Sequence, residues 1–445
     1  MEEMSEAGGV AVLRDEALCE EIHHSVVGGM NVFVLPKRGF KRKYAEILVH
    51  YGSNDNAFAL PGGKTVEVPP GIAHFLEHKM FEKSWGEAFQ EFAKLGASAN
   101  AYTANNYTSY LFWTLDNFAE ALRMVFRVAL EPYFTAESVA KEQDIIGQEI
   151  RMYNDEPGSR LSREVLEALY REHPVRIDIA GTEHSIRLID KDLLYLCHSA
   201  FYRPSNMALF VAGDVVPGEV YDLADRYLAL YSVPSDGGCI RRIRPDEPPD
   251  VGANSEVNLP VPVPLVEVAW KGDAPGENGA RLLKSEIATN LLLDILFGRS
   301  SSFFTEAYEE GLLDEVSASH ESWPDYSYSA VAAQSVSPEK LIDRIYGEIE
   351  RARHEGVSED DFARVKRASI GRYVTVFDSF DTAGEMQAHL HDIGLDIFTY
   401  GRMLRAVSVS DVQDRIGAFQ RERAVSVIVR DKKLGQRGNS NGRGD

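Results

Sequence analysis

Hydrophobic and polar positions change period along this chain, and each change predicts an element. Residues 26–52, VVGGMNVFVLPKRGFKRKYAEILVHYG, set short apolar runs between Gly-Gly, Pro and Arg-Gly punctuation, the pattern of strands joined by turns. Pro69-Pro70-Gly71 then stops the strand before it and readies the chain for a helix that begins just upstream of His74. A second helix is expected over 87–95, a strand over 97–103 and another over 107–114. Within 137–154, ESVAKEQDIIGQEIRMYN, the residues Val139, Ile145, Ile146, Ile150 and Met152 recur at helical spacing with polar residues opposite. Helical patterning continues to Leu196, the apolar run 207–211 reads as a strand, and a helix through 222–230 follows.

The next stretch, YSVPSDGGCIRRIRPDEPPDVGANSEVN, is proline, glycine and charge, the composition of a linker. Beyond it the pattern of the first half returns at low identity. Ser410-Asp411-Val412, Phe419 and the strand 424–429 echo Lys191-Asp192-Leu193, Phe201 and 207–211, with one residue of slippage. The expected organisation is a first domain over 1–230, a linker over 231–256, a homologous second domain over 257–432 and a disordered tail over 433–445.

Composition fits that division. With 44% hydrophobic residues among 445, the chain can bury one large core or two medium ones. Its cysteines, Cys19, Cys197 and Cys239, are odd in number and far apart, so neither a secreted disulfide framework nor a Cys-x-x-Cys metal site is expected. The opening MEEMSEAGGVAVLRDEALCEE is acidic and lacks a basic region followed by an apolar core. No apolar run approaches the ~18 residues of a membrane span, so a cytoplasmic protein without membrane insertion is expected. A formal charge of −22 argues against nucleic acid, whose phosphates need clustered Lys and Arg, and favours cationic peptides.

The candidate chemistry sits on the helix after the proline pair. His74-Phe75-Leu76-Glu77-His78 puts imidazoles at i and i+4, on one face, where both can reach one cation at the roughly 2.0–2.1 Å of a Zn–N bond. Glu77, at i+3 from His74, shares that face at a reach that suits a metal-bound water, which makes it the candidate general base. The order His-x-x-Glu-His inverts the commoner His-Glu-x-x-His. A catalytic zinc site takes three protein ligands and keeps its fourth position open. Glu149 is the candidate third ligand. Glu142, two helical turns earlier on the same face, is read as a supporting catalytic carboxylate that orients an imidazole or holds the site's charge. Gly147 between them costs about 1 kcal/mol in a helix against alanine, and so marks a place where another element packs closely. Phe75, Met80 and Phe81 border the motif and either line an apolar pocket or pack in the core. His389 and His391, without a matching carboxylate helix, are read as structural.

Together these residues resemble the pitrilysin, insulysin and mitochondrial processing peptidase family of zinc metallopeptidases. The resemblance spans nearly the whole first half. The inverted motif is followed by the Glu-x6-Glu helix KEQDIIGQE, and Gly96-Ala97-Ser98-Ala99-Asn100-Ala101-Tyr102-Thr103 is similar to the family's Gly-x-x-x-Asn-Ala-x-Thr strand. His173-Pro174, Gly181-Thr182, Ser185-Ile186 and Tyr202-Arg203-Pro204-Ser205-Asn206-Met207, running into Leu209-Phe210-Val211-Ala212-Gly213-Asp214, follow the pattern that closes the family's first domain. GIAHFLEHKMFEK, QEFAKLGASANAYT and HPVRIDIAGT look like the short-chain bacterial, YmfH-like branch. The resemblance implies an α+β fold of two homologous domains, each a mostly antiparallel sheet packed with helices, forming half of a clamshell with metal in the first copy only. It implies a zinc metalloendopeptidase of short or unfolded peptides, with Zn2+ on His74, His78 and Glu149. The substrate would pair as an extended strand along Ala99, Asn100, Ala101 and Thr103, with Asn100 adding a side-chain hydrogen bond.

The second half departs from that family. Members with a self-sufficient site carry there an arginine before a Gly-Leu pair and a tyrosine after it, which steady the substrate carbonyl and its oxyanion. In SFFTEAYEEGLLD, residues 302–314, Ala307 stands for the arginine and Asp314 for the tyrosine; Tyr308 is one position off, a helical rotation of about 100°. A heterodimer is therefore expected, in which a homologous zinc-free subunit supplies the Arg/Tyr pair. The alternatives are a peptide-binding or assembly subunit with little activity, and a zinc hydrolase of a non-peptide amide. Glu77 speaks against the assembly role, because a structural zinc site needs no base and has four protein ligands.

Overall fold

A computed structural model describes residues 9–231, 240–276 and 278–432; the expected tail and Cys239 lie outside them. The alternation in 26–52 becomes part of a seven-stranded sheet of order β1-β2-β3-β7-β4-β6-β5. Its strands are β1 (Ala11–Asp15), β2 (Glu20–Val27), β3 (Met30–Pro36), β4 (Lys43–Val49), β5 (Ser98–Thr103), β6 (Thr108–Thr114) and β7 (Met207–Gly213). All neighbours are antiparallel except β3 with β7.

The second half forms a five-stranded sheet of order β8-β12-β9-β11-β10. These strands are β8 (Ser255–Asn258), β9 (Leu265–Lys271), β10 (Val316–Ser322), β11 (Ser327–Gln334) and β12 (Ala424–Arg430). Its order repeats β3-β7-β4-β6-β5 strand for strand, again with one parallel pair, β8 with β12. Short 3-10 turns, Pro204–Asn206 and Arg421–Arg423, lead into β7 and β12. The weak sequence echo is thus a duplicated topology, and the α+β class of two mostly antiparallel, helix-packed sheets is the one observed.

Side-chain alternation on the central strands sets the layers. Ala45, Ile47 and Val49 of β4 enter one core with Phe75 and Leu76 of the motif helix α1 (Ile72–Lys79) and Val139, Ile146 and Ile150 of α2 (Ala136–Asp155). Ile145 and Met152 are exposed, so the buried stripe of α2 is narrower than its apolar positions suggested. Gly147 is buried, yet a Cβ there would meet Ile186 at 3.7 Å, an ordinary contact. Close packing therefore does not demand this glycine.

On their other faces the sheets exchange helices. Leu161, Val165 and Leu169 of α3 (Pro157–Leu169), from the first half, pack on Ala269, Val425 and Val427 of the second sheet. Phe380 and Ala383 of α4 (Phe380–Asp392), from the second half, join Tyr44 and Phe210 of the first. Each such fully buried large side chain contributes about 1.5–3 kcal/mol, so the exchange ties the halves together. The stretch expected as linker takes part as well. Arg241–Arg242 pairs with Ala59 and Phe58, and Arg242 and Arg244 reach the buried Asp55 at 2.9 and 3.0 Å. Composition reads this stretch as a linker because the partner of its arginines lies far away in sequence.

Candidate metal centre

The motif helix starts against a backbone clamp. Its N-cap, Gly71, has φ +91, and a Cβ there would fall 2.4 Å from the Ala180 carbonyl oxygen. Gly181, at φ +77, faces the Pro70 oxygen equally closely, and the Ser185 hydroxyl donates to that oxygen at 2.8 Å. Only glycine tolerates both the positive φ and the contact. Burial of Ile72, Ala73, Phe75 and Leu76 then turns His74, Glu77 and His78, all half-buried, to the opposite side. Facing them is α2, whose first turn is fixed by a capping box between Thr135 and Ser138.

Ligand atoms of His74, Glu77 and His78 lie within 4.8 Å of one another. Glu149 closes the group, with Oε1 3.8 Å from His74 Nε2 and Oε2 3.5 Å from His78 Nε2. Glu142 Oε1 is 3.1 Å from His78 Nδ1, an arrangement that directs Nε2 toward Glu149. Glu142 also lies 3.8 Å from the buried Lys79, which pairs with Glu82. The Thr103 hydroxyl donates to Glu77 Oε2 at 3.3 Å. His74 Nδ1 is buried without a hydrogen bond.

Burial and charge act on these groups in opposite directions. Burial, helped by His78, pushes His74 down to about 3. Burial would lower His78 as well, but its bond to Glu142 and the carboxylates around it carry it above the ordinary imidazole value. Glu77 is pushed up to about 7 by burial, against the pull of His78 and Thr103. In Glu142 the burial penalty is outweighed by the His78 bond, and its pKa falls. Two imidazoles and a carboxylate therefore converge amid two further carboxylates, an excess of negative charge that a divalent cation would neutralise. The donor set fits zinc.

The group opens into a cleft of about 480 Å³ that Ala101 and Thr103 also line. Strand β5 is the free edge of its sheet. Ala104 N–H donates to Tyr107 O at 2.8 Å, closing the β5-β6 hairpin, so alternation turns the main-chain groups of Ala99, Ala101 and Thr103 to the open edge. Asn100 pairs inward with Leu111, and its exposed side chain lies on the face away from Glu77. Phe75, Met80 and Phe81 are core residues and line no pocket wall at the cleft.

Three cleft residues escaped the sequence reading. Tyr153, one turn beyond Glu149, has a hydroxyl pKa raised by burial and by its bond to Glu149; its i+4 spacing was a signal. Arg163 and Arg176 also line the wall, and nothing local in the sequence marks them. His389 and His391 fall outside the only ligating group found among the described residues.

Comparison with known proteins gives the family and the fold. The description "Insulinase (Peptidase family M16)" matches residues 64–183, and "Peptidase M16 inactive domain" matches 189–369. The "uncharacterized zinc protease YmfH" of Bacillus subtilis (strain 168) is 38% identical over 405 residues, 90% of this chain and 94% of that protein. This chain belongs to the M16 peptidase family. Among solved structures, an M16-like peptidase from Alicyclobacillus acidocaldarius superposes with a TM-score of 0.89 at 33% identity, covering 94% of this chain and 99% of that one. Pitrilysin shares the M16 fold with a TM-score of 0.73 at 16% identity, and 96% of this chain covers 47% of the pitrilysin chain. Where self-sufficient M16 members were expected to carry an arginine, Ala307 is buried; Tyr308 is 56% exposed and Asp314 exposed, and none of the three lines the cleft beside Glu77. No described helix is long and apolar enough to cross a membrane.

Proposed function

We propose that this chain is a zinc-dependent endopeptidase for short or unfolded peptides, acting in the cytoplasm as the metal-bearing subunit of a heterodimer. The observation that carries the reading is the approach of both Glu149 oxygens, at 3.8 and 3.5 Å, to the Nε2 atoms of His74 and His78. His74, His78 and Glu149 would hold the zinc, and Glu142 would hold His78 in register. Zinc held there would supply a Lewis acid and would lower the pKa of a water to about 7. Glu77 takes the proton of the attacking water and returns it to the leaving amine. A carboxyl raised to about 7 is matched to that exchange near neutrality. Thr103 steadies one oxygen of Glu77 at 3.3 Å and leaves the other for the proton. The peptide adds to the free edge of β5, bonding the main chain of Ala99, Ala101 and Thr103, while Asn100 contributes through its pairing with β6.

The partner is the part of the reading that Ala307 and Asp314 support, because they leave the cleft without the expected donors for a developing oxyanion. Pitrilysin, of which this chain covers 47%, has room in one chain for two such halves. The second subunit would be a homologue without the zinc motif but with the arginine and tyrosine. Glu77→Gln tests the chemistry: zinc content by elemental analysis should be unchanged, while peptide hydrolysis falls by about 10²–10⁴-fold. The missing donors also favour a second reading, a peptide-binding or assembly subunit with little turnover. That role predicts no effect of Glu77→Gln on any activity of the assembly.

A further inference from the structure

The duplicated topology gives an internal control for one buried carboxylate. Glu46 on β4 stands opposite Phe210 of β7 and Leu111 of β6; Glu267 on β9 stands opposite Val427 of β12 and Ala332 of β11. Phe210 and Val427 hold the same place in strands that follow equivalent 3-10 turns, so the two glutamates occupy one position of the repeat. Both are buried, at 1% and 7% exposure, and each faces the helix contributed by the other half.

Their surroundings differ. Glu46 accepts hydrogen bonds from Tyr44 at 2.9 Å, Tyr102 at 3.2 Å and Ser109 at 2.5 Å. The strand registers map Tyr44 to Leu265, Ser109 to Ala330 and Tyr102 to Ser319. Two donors have become apolar and the third has lost its ring. Glu267 is left with neither a hydrogen bond nor an ion pair, and burial pushes its carboxyl up to about 7. The hydroxyl of Tyr328 nearby donates its hydrogen bond to Glu321 at 2.8 Å. The space where the tyrosine ring would lie is a cavity of about 210 Å³, lined by Glu267, Ser162, Ser317, Ser319 and Tyr328. Ser162 and Leu166 line both this cavity and the metal cleft, so the two are neighbours.

We propose that the Glu267 cavity is a cation-binding subsite of the cleft, which takes the side chain of a lysine or arginine in the peptide. The proposal rests on the peptidase reading above. An unpaired carboxylate at this depth is unfavourable until a cation reaches it, and the serine hydroxyls around it match the several N–H donors of an ammonium or guanidinium. The volume far exceeds the ~10–15 Å³ that one water needs, and the wall joins Val165, Leu166, Ala330 and Ala332 to Glu267 and the serines, which suits the alkyl stem and charged head of a long basic side chain.

Binding of labelled extended peptides to the zinc-loaded full chain carrying Glu77→Gln tests this without turnover. Lysine and norleucine are compared at each peptide position by fluorescence anisotropy. At one position lysine should bind about tenfold more tightly, the worth of one charge-assisted hydrogen bond. Adding Glu267→Gln should abolish that preference. Ser319→Tyr should do the same while restoring the ring and donor found in the first half, which guards against a mere folding defect. Equal affinities throughout, or a lysine preference that survives both changes, would overturn the proposal. If no peptide binds, the isolated chain lacks the peptide-binding cleft on its own and the partner is required for it, and thermal unfolding with agmatine then decides the cavity. Stabilisation that Glu267→Gln removes keeps a cation site there, and absence of stabilisation rejects it.

Discussion

His78 is gripped at both ring nitrogens, Nδ1 by Glu142 at 3.1 Å and Nε2 by Glu149 at 3.5 Å. Loss of such an outer partner typically weakens a metal site by 10–100-fold, because the imidazole must then be oriented at the moment of binding. Glu142→Ala should therefore weaken zinc binding by about 10–100-fold in a chelator competition, with little change in stability, since Lys79 keeps Glu82. Glu267 makes a prediction of a different kind. Burial raises it from 4.5 to about 7, so the folded chain binds this proton more tightly than the unfolded chain. Stability then falls as pH rises between those values; the penalty is complete above the folded pKa and absent below the unfolded one. Glu267→Gln escapes it. Denaturant midpoints of the variant and the parent should coincide near pH 4.5 and separate toward pH 8, the variant gaining up to about 3 kcal/mol.

Elements carried the sequence reading best where their signals were local. The turn chemistry of Pro69-Pro70-Gly71, the helical spacing of Val139, Ile146 and Ile150, and the apolar runs of β4 and β7 each lie within one stretch, and each stretch formed the expected element. The cluster of potential ligands was legible for the same reason, since i, i+4 spacing puts His74 and His78 together whatever the rest of the chain does. Long-range features were not. Arg242 and Arg244 find Asp55, and α3 and α4 cross to the opposite sheet, through contacts that no window of sequence contains. Glycine shows the contrast within one site. Gly181, with φ +77 and a Cβ position 2.4 Å from Pro70 O, supports the first turn of α1, whereas Gly147 has room for a methyl group. Gly181→Ala should lower stability by about 1–3 kcal/mol in urea unfolding and weaken zinc binding with it. Gly147→Ala should stabilise the chain by up to about 1 kcal/mol and leave zinc unaffected.

At the scale of the whole molecule, the exchange of α3 and α4 makes the two halves one packing problem. The second half is needed to complete the first, although its own copy of the repeat holds no metal group among the described residues. It also brings to the cleft no replacement for the missing donors: Ala307 is buried, and Tyr308 points its exposed ring elsewhere. A missing oxyanion donor typically costs about 10²–10³ in turnover. The isolated zinc-loaded chain should therefore hydrolyse an unstructured peptide about 10²–10³-fold more slowly than an equimolar mixture with a homologous zinc-free subunit bearing the arginine and tyrosine. Activity should rise with added partner until the chains are equimolar, in step with a heterodimer peak in size-exclusion chromatography. Replacing the partner's arginine should remove the gain while the peak persists, which separates a chemical contribution from mere assembly. An isolated chain that already works at the rate of the mixture would refute the need for a partner. The oxyanion would then have to be met from within, and Arg163 and Arg176, the cations that line the cleft wall, would be the groups to replace.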